Sequence, residues 1–176
     1  MKKIHWGVVV LHYKTIKCTQ HCVELLLAKN EDISIVIVDN GSKDGSGEQL
    51  ARYYKDKTKI KVIISQKNKG FARGNNLGYA YLKERDCDFI ILLNNDAYIE
   101  QENFFELLHK EYENSGFAVC GPQILNEQHE VMEKYPQKAV HSTVGSTYIG
   151  QIMCIIKIIL TFFNMDLKLA DMISGR

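Results

Sequence analysis

Proline is scarce, with two in 176 residues, and no low-complexity stretch interrupts the chain, so long disordered linkers are excluded. An excess of one charge sign is also missing. Lys and Arg number 22 against 21 Asp and Glu, a formal net charge of +1. Such a balance creates no strong field, and neither nucleic acid nor an anionic membrane is expected as the partner on charge grounds. Cysteine is present only as an odd, scattered set at 18, 22, 87, 120 and 154. This pattern suits reduced thiols in a cytoplasmic protein and not a disulfide framework. Cys18, His21 and Cys22 share helical spacing, but no second ligand pair follows at zinc-site distance, so they are assigned to the core or surface of a helix. Long apolar runs are missing too. At the start, "MKKIHWGVVVLHYK" offers only Trp6 to Leu11, too short for a signal-peptide core. Near the end, Ile152 to Phe163 is too short to span a bilayer and carries Lys157 in its middle.

Hydrophobic residues make up 45% and charged residues 24%, ordinary for a globular chain long enough to bury one core. Continuous apolar runs alternate with helical stretches, the mark of strands covered on both faces. Gly7 to Leu11 reads as the first strand, and 15–29 as a helix with Ile16, Cys22, Leu25 and Leu26 inward. "ISIVIVDNGS" is the second strand, halted by Asp39-Asn40-Gly41. Ser46 is placed to cap a helix through Leu50, Tyr53 and Tyr54. "KVIIS" is the third strand, and "GFARGNNLGYAYLKER" reads as a loop feeding a helix that begins near Ala72. "DFIILLNN" is the fourth strand, 102–114 a further helix, and "FAVCGP" a short fifth strand. The expected fold is α/β in three layers, a mostly parallel central sheet with helices on both faces.

In such a sheet ligands bind beyond the carboxyl ends of the strands. Polar clusters fall there four times: His12-Tyr13, Asp39-Asn40-Gly41, Asn68-Lys69-Gly70 and Asn94-Asn95-Asp96. Asp39 either closes a tight turn or accepts a hydrogen bond from an imide N–H such as that of uracil or thymine. "NKGFARGNN" is either a helix entry or a phosphate site, with Gly70 and Gly74 admitting close approach and Arg73 supplying a forked cation. Its spacing matches neither the Lys-Ser/Thr phosphate loop nor Gly-x-Gly-x-x-Gly. "LLNNDAY" either ends its strand in an Asx turn or presents Asp96 and Asn94 as oxygen ligands to Mg2+ or Mn2+.

Taken together, "VVVLHY", "IVIVDNGSKDGS", "NKGFARGNNLGYAY", "FIILLNNDAYI" and "VCGPQI" resemble the large inverting glycosyltransferase family 2 with the GT-A fold, in particular its rhamnosyltransferase-like branch. The resemblance covers residues 4 to about 125. It implies a nucleotide-sugar-binding domain over 1–125 and an atypical C-terminal extension over 126–176. It further implies a dTDP- or UDP-linked sugar donor, with dTDP-rhamnose the expected one, and a saccharide or lipid-linked acceptor. His12, Tyr13, Asp39, Asn40, Gly41, Asn68, Lys69 and Gly70 would line the base and ribose. Arg73, Asn75, Asn76 and Asn95 would lie toward the rest of the nucleotide. Asp96 matches the last aspartate of the family's Asp-x-Asp metal motif, and Asn94 stands where the first aspartate usually is. The Glu-Asp pair that supplies the family's general base has no match after residue 125. Two rivals stand beside this reading: a sugar nucleotidyltransferase, whose glycine-rich loop "HYKTIKCTQ" lacks, and a non-catalytic nucleotide-sugar-binding subunit. The apolar segment around 149–165 is expected either to touch the inner face of the cell membrane, or to pack within the chain or against a second copy.

Overall fold

A computed structural model describes residues 3–122, 124–126 and 128–130. Most of the expected C-terminal extension, including the apolar segment 149–165, lies outside the described residues. Along the chain run β1 (Trp6–His12), α1 (Ile16–Ala28), β2 (Ile33–Asp39), α2 (Ser46–Tyr53), β3 (Ile60–Ile64), α3 (Phe71–Lys83), β4 (Phe89–Asn94) and α4 (Phe104–Ser115). Two compact units divide after Glu100, and α4 belongs to the second.

The first unit is built on a four-stranded sheet in the order β3-β2-β1-β4, every pair parallel. β1 and β2 run almost wholly buried because Val and Ile occupy both of their faces, as a strand covered on two sides requires. One face carries Val9, Val36 and Val38 against Leu82 of α3, with Leu11, Ile63, Leu77 and Tyr81 around them. Gly78 lets that helix settle close, since a Cβ there would stand 2.4 Å from a Val9 methyl. The alternate residues Val8, Val10, Ile35 and Ile37 face the other way. There α1 lies on β1, α2 on β3, and the two helices touch each other. Cys22, Val23, Leu26 and Leu50 are the buried hydrophobic residues they supply. Each fully buried Val, Ile or Leu contributes roughly 1.5–3 kcal/mol. The expected three-layer α/β arrangement is therefore present.

Two local expectations are corrected. Ser46 does not cap α2; Gly45 holds that position with φ +78°, and the Ser46 hydroxyl is committed elsewhere. Phe117–Pro122 forms no fifth strand. Gly116 ends α4 at φ +60°, and the Phe117 ring then packs edge-on to Tyr112 at 5.5 Å, turning the chain back along its own helix. Pro122 adds a missing N–H to a segment already unsuited to a ladder.

Candidate functional site

Parallel pairing in register brings the strand ends to one edge. His12 lies opposite Asp39, Leu11 opposite Asn94, and Asp39 opposite Ile64. The four polar clusters read from the sequence thus follow neighbouring strands on the same side of the sheet.

Asn40 fastens the loops together. Its Oδ1 accepts the Lys69 N–H at 3.0 Å, and its Nδ2 donates to Asn68 Oδ1 and to the Gly70 carbonyl at 3.2 and 3.3 Å. Asn68 Oδ1 also accepts the Gly70 N–H at 2.8 Å. Gly41 makes this approach sterically allowed. It sits at φ +78°, and a Cβ there would lie 2.3 Å from the Lys67 carbonyl carbon. On the other flank, the Lys14 N–H donates to Ser42 Oγ at 2.8 Å, and the Lys14 ammonium lies 5.0 Å from the exposed Tyr13 ring. Gly70, at φ +80° and ψ 169°, leads directly into α3. Arg73 is exposed in the first turn of that helix and Lys69 is exposed just before it, so two cations stand at the positive end of a thirteen-residue helix. Asn76 is half-buried. Asn75 departs from expectation: it is buried, its Nδ2 donates to the Phe71 carbonyl at 3.1 Å, and its Oδ1 is enclosed without a partner.

Asp39 is fully buried. One carboxylate oxygen accepts the Ser42 N–H at 3.0 Å, which is the turn-closing role weighed from the sequence. The other oxygen is enclosed with no partner and faces the α2 backbone at Gly47, where a Cβ would come within 2.3 Å of it. In this conformation Asp39 shapes the wall behind the loops instead of projecting from it.

Behind the loops runs a buried polar chain that sequence reasoning missed. His12 Nε2 lies 2.8 Å from Ser46 Oγ, and His12 Nδ1 lies 2.7 Å from Thr19 Oγ1. Because the Ser46 hydroxyl donates to Asp44 Oδ1 at 2.6 Å, it must accept from an Nε2–H, which leaves Nδ1 to accept from Thr19. The Thr19 oxygen in turn accepts from Asn95 Nδ2 at 2.9 Å. With that tautomer the donors run from Asn95 through Thr19, His12 and Ser46 to the Asp44 carboxylate, and the Thr15 carbonyl, 3.3 Å from Thr19 Oγ1, is a second, longer acceptor for the Thr19 hydroxyl. Burial pushes the His12 imidazole below its ordinary 6.5, against the opposing pull of Asp39 and Asp44, as a neutral link in this chain requires. The Ser46 hydroxyl and backbone N–H hold Asp44 below the usual carboxylate range. One signal was available in the sequence: Thr19 lies four residues past Thr15 on α1, and Ser46 opens α2.

At the end of β4, Asn94 and Asp96 are exposed while Asn95 between them is buried. Asn95 was expected to face the nucleotide. Instead its amide donates to Thr15 Oγ1 at 2.6 Å and to Thr19, pinning the strand end to α1. Among the described residues no group of three or more His, Cys, Asp or Glu side chains converges on a point. The donors that the exposed end of β4 itself presents are the Asp96 carboxylate and the Asn94 amide oxygen. That set fits Mg2+ or Mn2+, hard cations that complete their shell with phosphate oxygens and water. Ligation by Cys22 is disfavoured, because burial, with the Asp96 charge adding, pushes its thiol up to about 12. His21 packs its ring edge-on to Tyr98 at 4.8 Å. Among the described residues, no helix is long and apolar enough to cross a membrane.

Comparison with known proteins gives a consistent result. A glycosyltransferase, GlyG, of Streptococcus pneumoniae is 31% identical over 106 residues, 60% of this chain and 34% of its own length. The dTDP-rhamnosyl transferase RfbF of Shigella flexneri is 26% identical over 128 residues, 68% of this chain and 41% of its own. The chain thus spans well under half the length of these relatives. Among solved structures, the mannosyltransferase PcManGT from Pyrobaculum calidifontis, in complex with GDP-Man and Mn2+, superposes with a TM-score of 0.54 at 14% identity, over 64% of this chain and 33% of that one. S. aureus TarS 1-349 in complex with UDP gives 0.52 at 21%, over the same shares. Both share the fold. The sequence pattern of glycosyl transferase family 2 matches residues 7–170, and the chain belongs to that family.

Proposed function

We propose that this chain binds a pyrimidine nucleoside-diphosphate sugar at the strand-end edge and serves its metal-assisted transfer, with inversion, to a saccharide or lipid-linked acceptor in the building of a bacterial surface polysaccharide. The observation that carries the reading is the exposure of Asp96 and Asn94 at the end of β4, on the sheet edge where the β2 and β3 loops are tied together by Asn40. Rhamnose is the preferred sugar, supported by the likeness to a dTDP-rhamnosyl transferase. A uridine or thymidine diphosphate is supported by the UDP held by TarS.

Each group has a task in this reading. Tyr13 offers an exposed ring for the base, and Asn40, Gly41, Asn68, Lys69 and Gly70 form the wall beside base and ribose. Arg73 and the first N–H groups of α3 hold the diphosphate, with Asn76 at their side. Asp96 and Asn94 hold Mg2+ or Mn2+, which when bound neutralises charge developing on the departing diphosphate. The reaction is a single displacement at the anomeric carbon, and an acceptor hydroxyl gives its proton to a carboxylate base. Among the described residues at this edge, Asp39 is buried with one oxygen committed to the Ser42 N–H, and Asp44 is committed to Ser46. That commitment favours a second reading in which the chain binds donor without transferring it.

Calorimetry of the full chain with UDP or dTDP, with and without Mn2+, tests the first reading. Mn2+ is expected to strengthen binding in the parent and to have no effect in Asp96→Ala. Equal strengthening in the variant would refute the assignment. Sugar transfer by the chain alone would retire the binding-only reading.

A further inference from the structure

Asn94, Asn95 and Asp96 are three successive short polar residues, yet only the middle one is buried. Its burial has a specific cause. Asn95 Nδ2 reaches Thr15 Oγ1 at 2.6 Å, the Thr15 carbonyl at 3.4 Å and Thr19 Oγ1 at 2.9 Å, at the N-cap and in the first turn of α1. Thr19 is itself fixed, because its hydroxyl sits 2.7 Å from His12 Nδ1 and His12 is held from its other side by Ser46. β4 ends at Asn94, and Asn95 and Asp96 are the two central residues of the turn that follows, so anchoring Asn95 inward fixes the turn on which Asp96 sits. A hydrogen bond between the Ala97 N–H and the Asn94 carbonyl at 3.1 Å then closes the turn that carries Asp96.

We propose that Thr19 and Asn95 are positioning residues for the metal–diphosphate site, setting the orientation of Asn94 and Asp96 through a hydrogen-bonded pin that ends on His12. This rests on the reading of Asp96 and Asn94 given above. A site with a single carboxylate depends more than most on such a pin. In the assigned pair Asn94 carries no charge to draw a misplaced Asp96 back toward the ion, and groups that orient metal ligands typically carry tenfold to a hundredfold in metal affinity. Thr19 does this without touching the ligand. The Thr19 hydroxyl hydrogen-bonds to His12 Nδ1, and its oxygen accepts from Asn95 Nδ2. The same directional chain stabilises each link through polarisation by the next.

The test uses the full chain with UDP, reading the ratio of affinities with and without Mn2+, together with the electron paramagnetic resonance of the bound Mn2+. Thr19→Val keeps the side-chain shape and removes the hydroxyl; Thr19→Ser returns it. The Mn2+ enhancement is expected to fall roughly tenfold to a hundredfold in Thr19→Val and to return in Thr19→Ser, with metal-free affinity unchanged in both. A uniform loss of affinity, or an unchanged enhancement in folded Thr19→Val, would overturn the pin. If Thr19→Val does not fold, as judged by circular dichroism, Asn95→Ala decides by the same ratio, since it leaves Thr19 and His12 paired. Absence of any Mn2+ enhancement in the parent chain would instead refute the underlying metal–diphosphate reading.

Discussion

Gly41 and Gly45 form a natural pair of controls in one loop. Both have φ +78°, so an alanine at either position meets the same left-handed backbone, a cost of about 1–2 kcal/mol. Their surroundings differ completely. A Cβ at Gly45 has nothing within 4 Å, whereas a Cβ at Gly41 lies 2.3 Å from the Lys67 carbonyl carbon, 2.4 Å from the Asn68 nitrogen and 2.8 Å from the Lys67 Cα. These are backbone atoms and cannot rotate away, so the 67–68 segment must move as a whole. Overpacking of this kind adds about 1–3 kcal/mol. Gly45→Ala should therefore lose about 1–2 kcal/mol and Gly41→Ala about 2–5 kcal/mol, the excess being the packing part. Urea denaturation followed by circular dichroism measures both. The functional consequence is separable, because the displaced segment holds Asn68 and Lys69, which Asn40 ties down. UDP affinity should fall in Gly41→Ala and stay near the parent value in Gly45→Ala. Equal stability losses, or equal affinities, would refute the close seating of the 67–70 loop over Gly41.

Other perturbations give equally definite outcomes. Because burial lowers the His12 pKa, the unfolded chain takes up a proton near 6.5 that the native chain refuses. Stability should then decline as pH falls from about 6.5 through the lowered native value, and His12→Gln should flatten that stretch of a stability–pH profile. Cys22, pushed up to about 12, is ionised to only about one part in ten thousand at pH 8, so iodoacetamide should label it far more slowly than a free model thiol, with mass spectrometry as the readout. Gly78→Ala sets a methyl 2.4 and 2.9 Å from the Val9 methyl carbons and 3.0 Å from one of Val38. The overlap costs about 1–3 kcal/mol against roughly 1 kcal/mol of helix propensity gained, a net loss of about 0–2 kcal/mol by denaturant titration.

How much could be read in advance follows the nature of each signal. β1, β2 and β4 were legible because Val, Ile and Leu run without a break, and helix boundaries came within about two residues because Gly70 and Gly116 punctuate them. Phe117–Pro122 misled for the same reason: "FAVCGP" has a strand's composition, but the glycine before it fixes where the next ring must pack. At the site, position was legible and direction was not. Asn94, Asn95 and Asp96 are chemically alike on paper, and Asn40 and Asn75 are the same residue type. Asn95 and Asn75 turn inward and Asn40 staples a loop only because of what lies across from them, namely Thr15 and Thr19, the Phe71 carbonyl, and Lys69. His12 shows the limit most clearly, since its partners stand 7 and 34 residues away.

The bare patches on α3 have a mechanical corollary. With Gly74 against a Leu11 methyl and Gly78 against Val9 and Val38, the helix rests backbone to sheet, locked like a key in its ward. A change in its seating would therefore have to displace strand side chains, whereas the short strap of residues 66–70 leading into it is exposed; under the proposed reading, that strap is where a different sugar nucleotide would be met while the anvil behind it stays fixed.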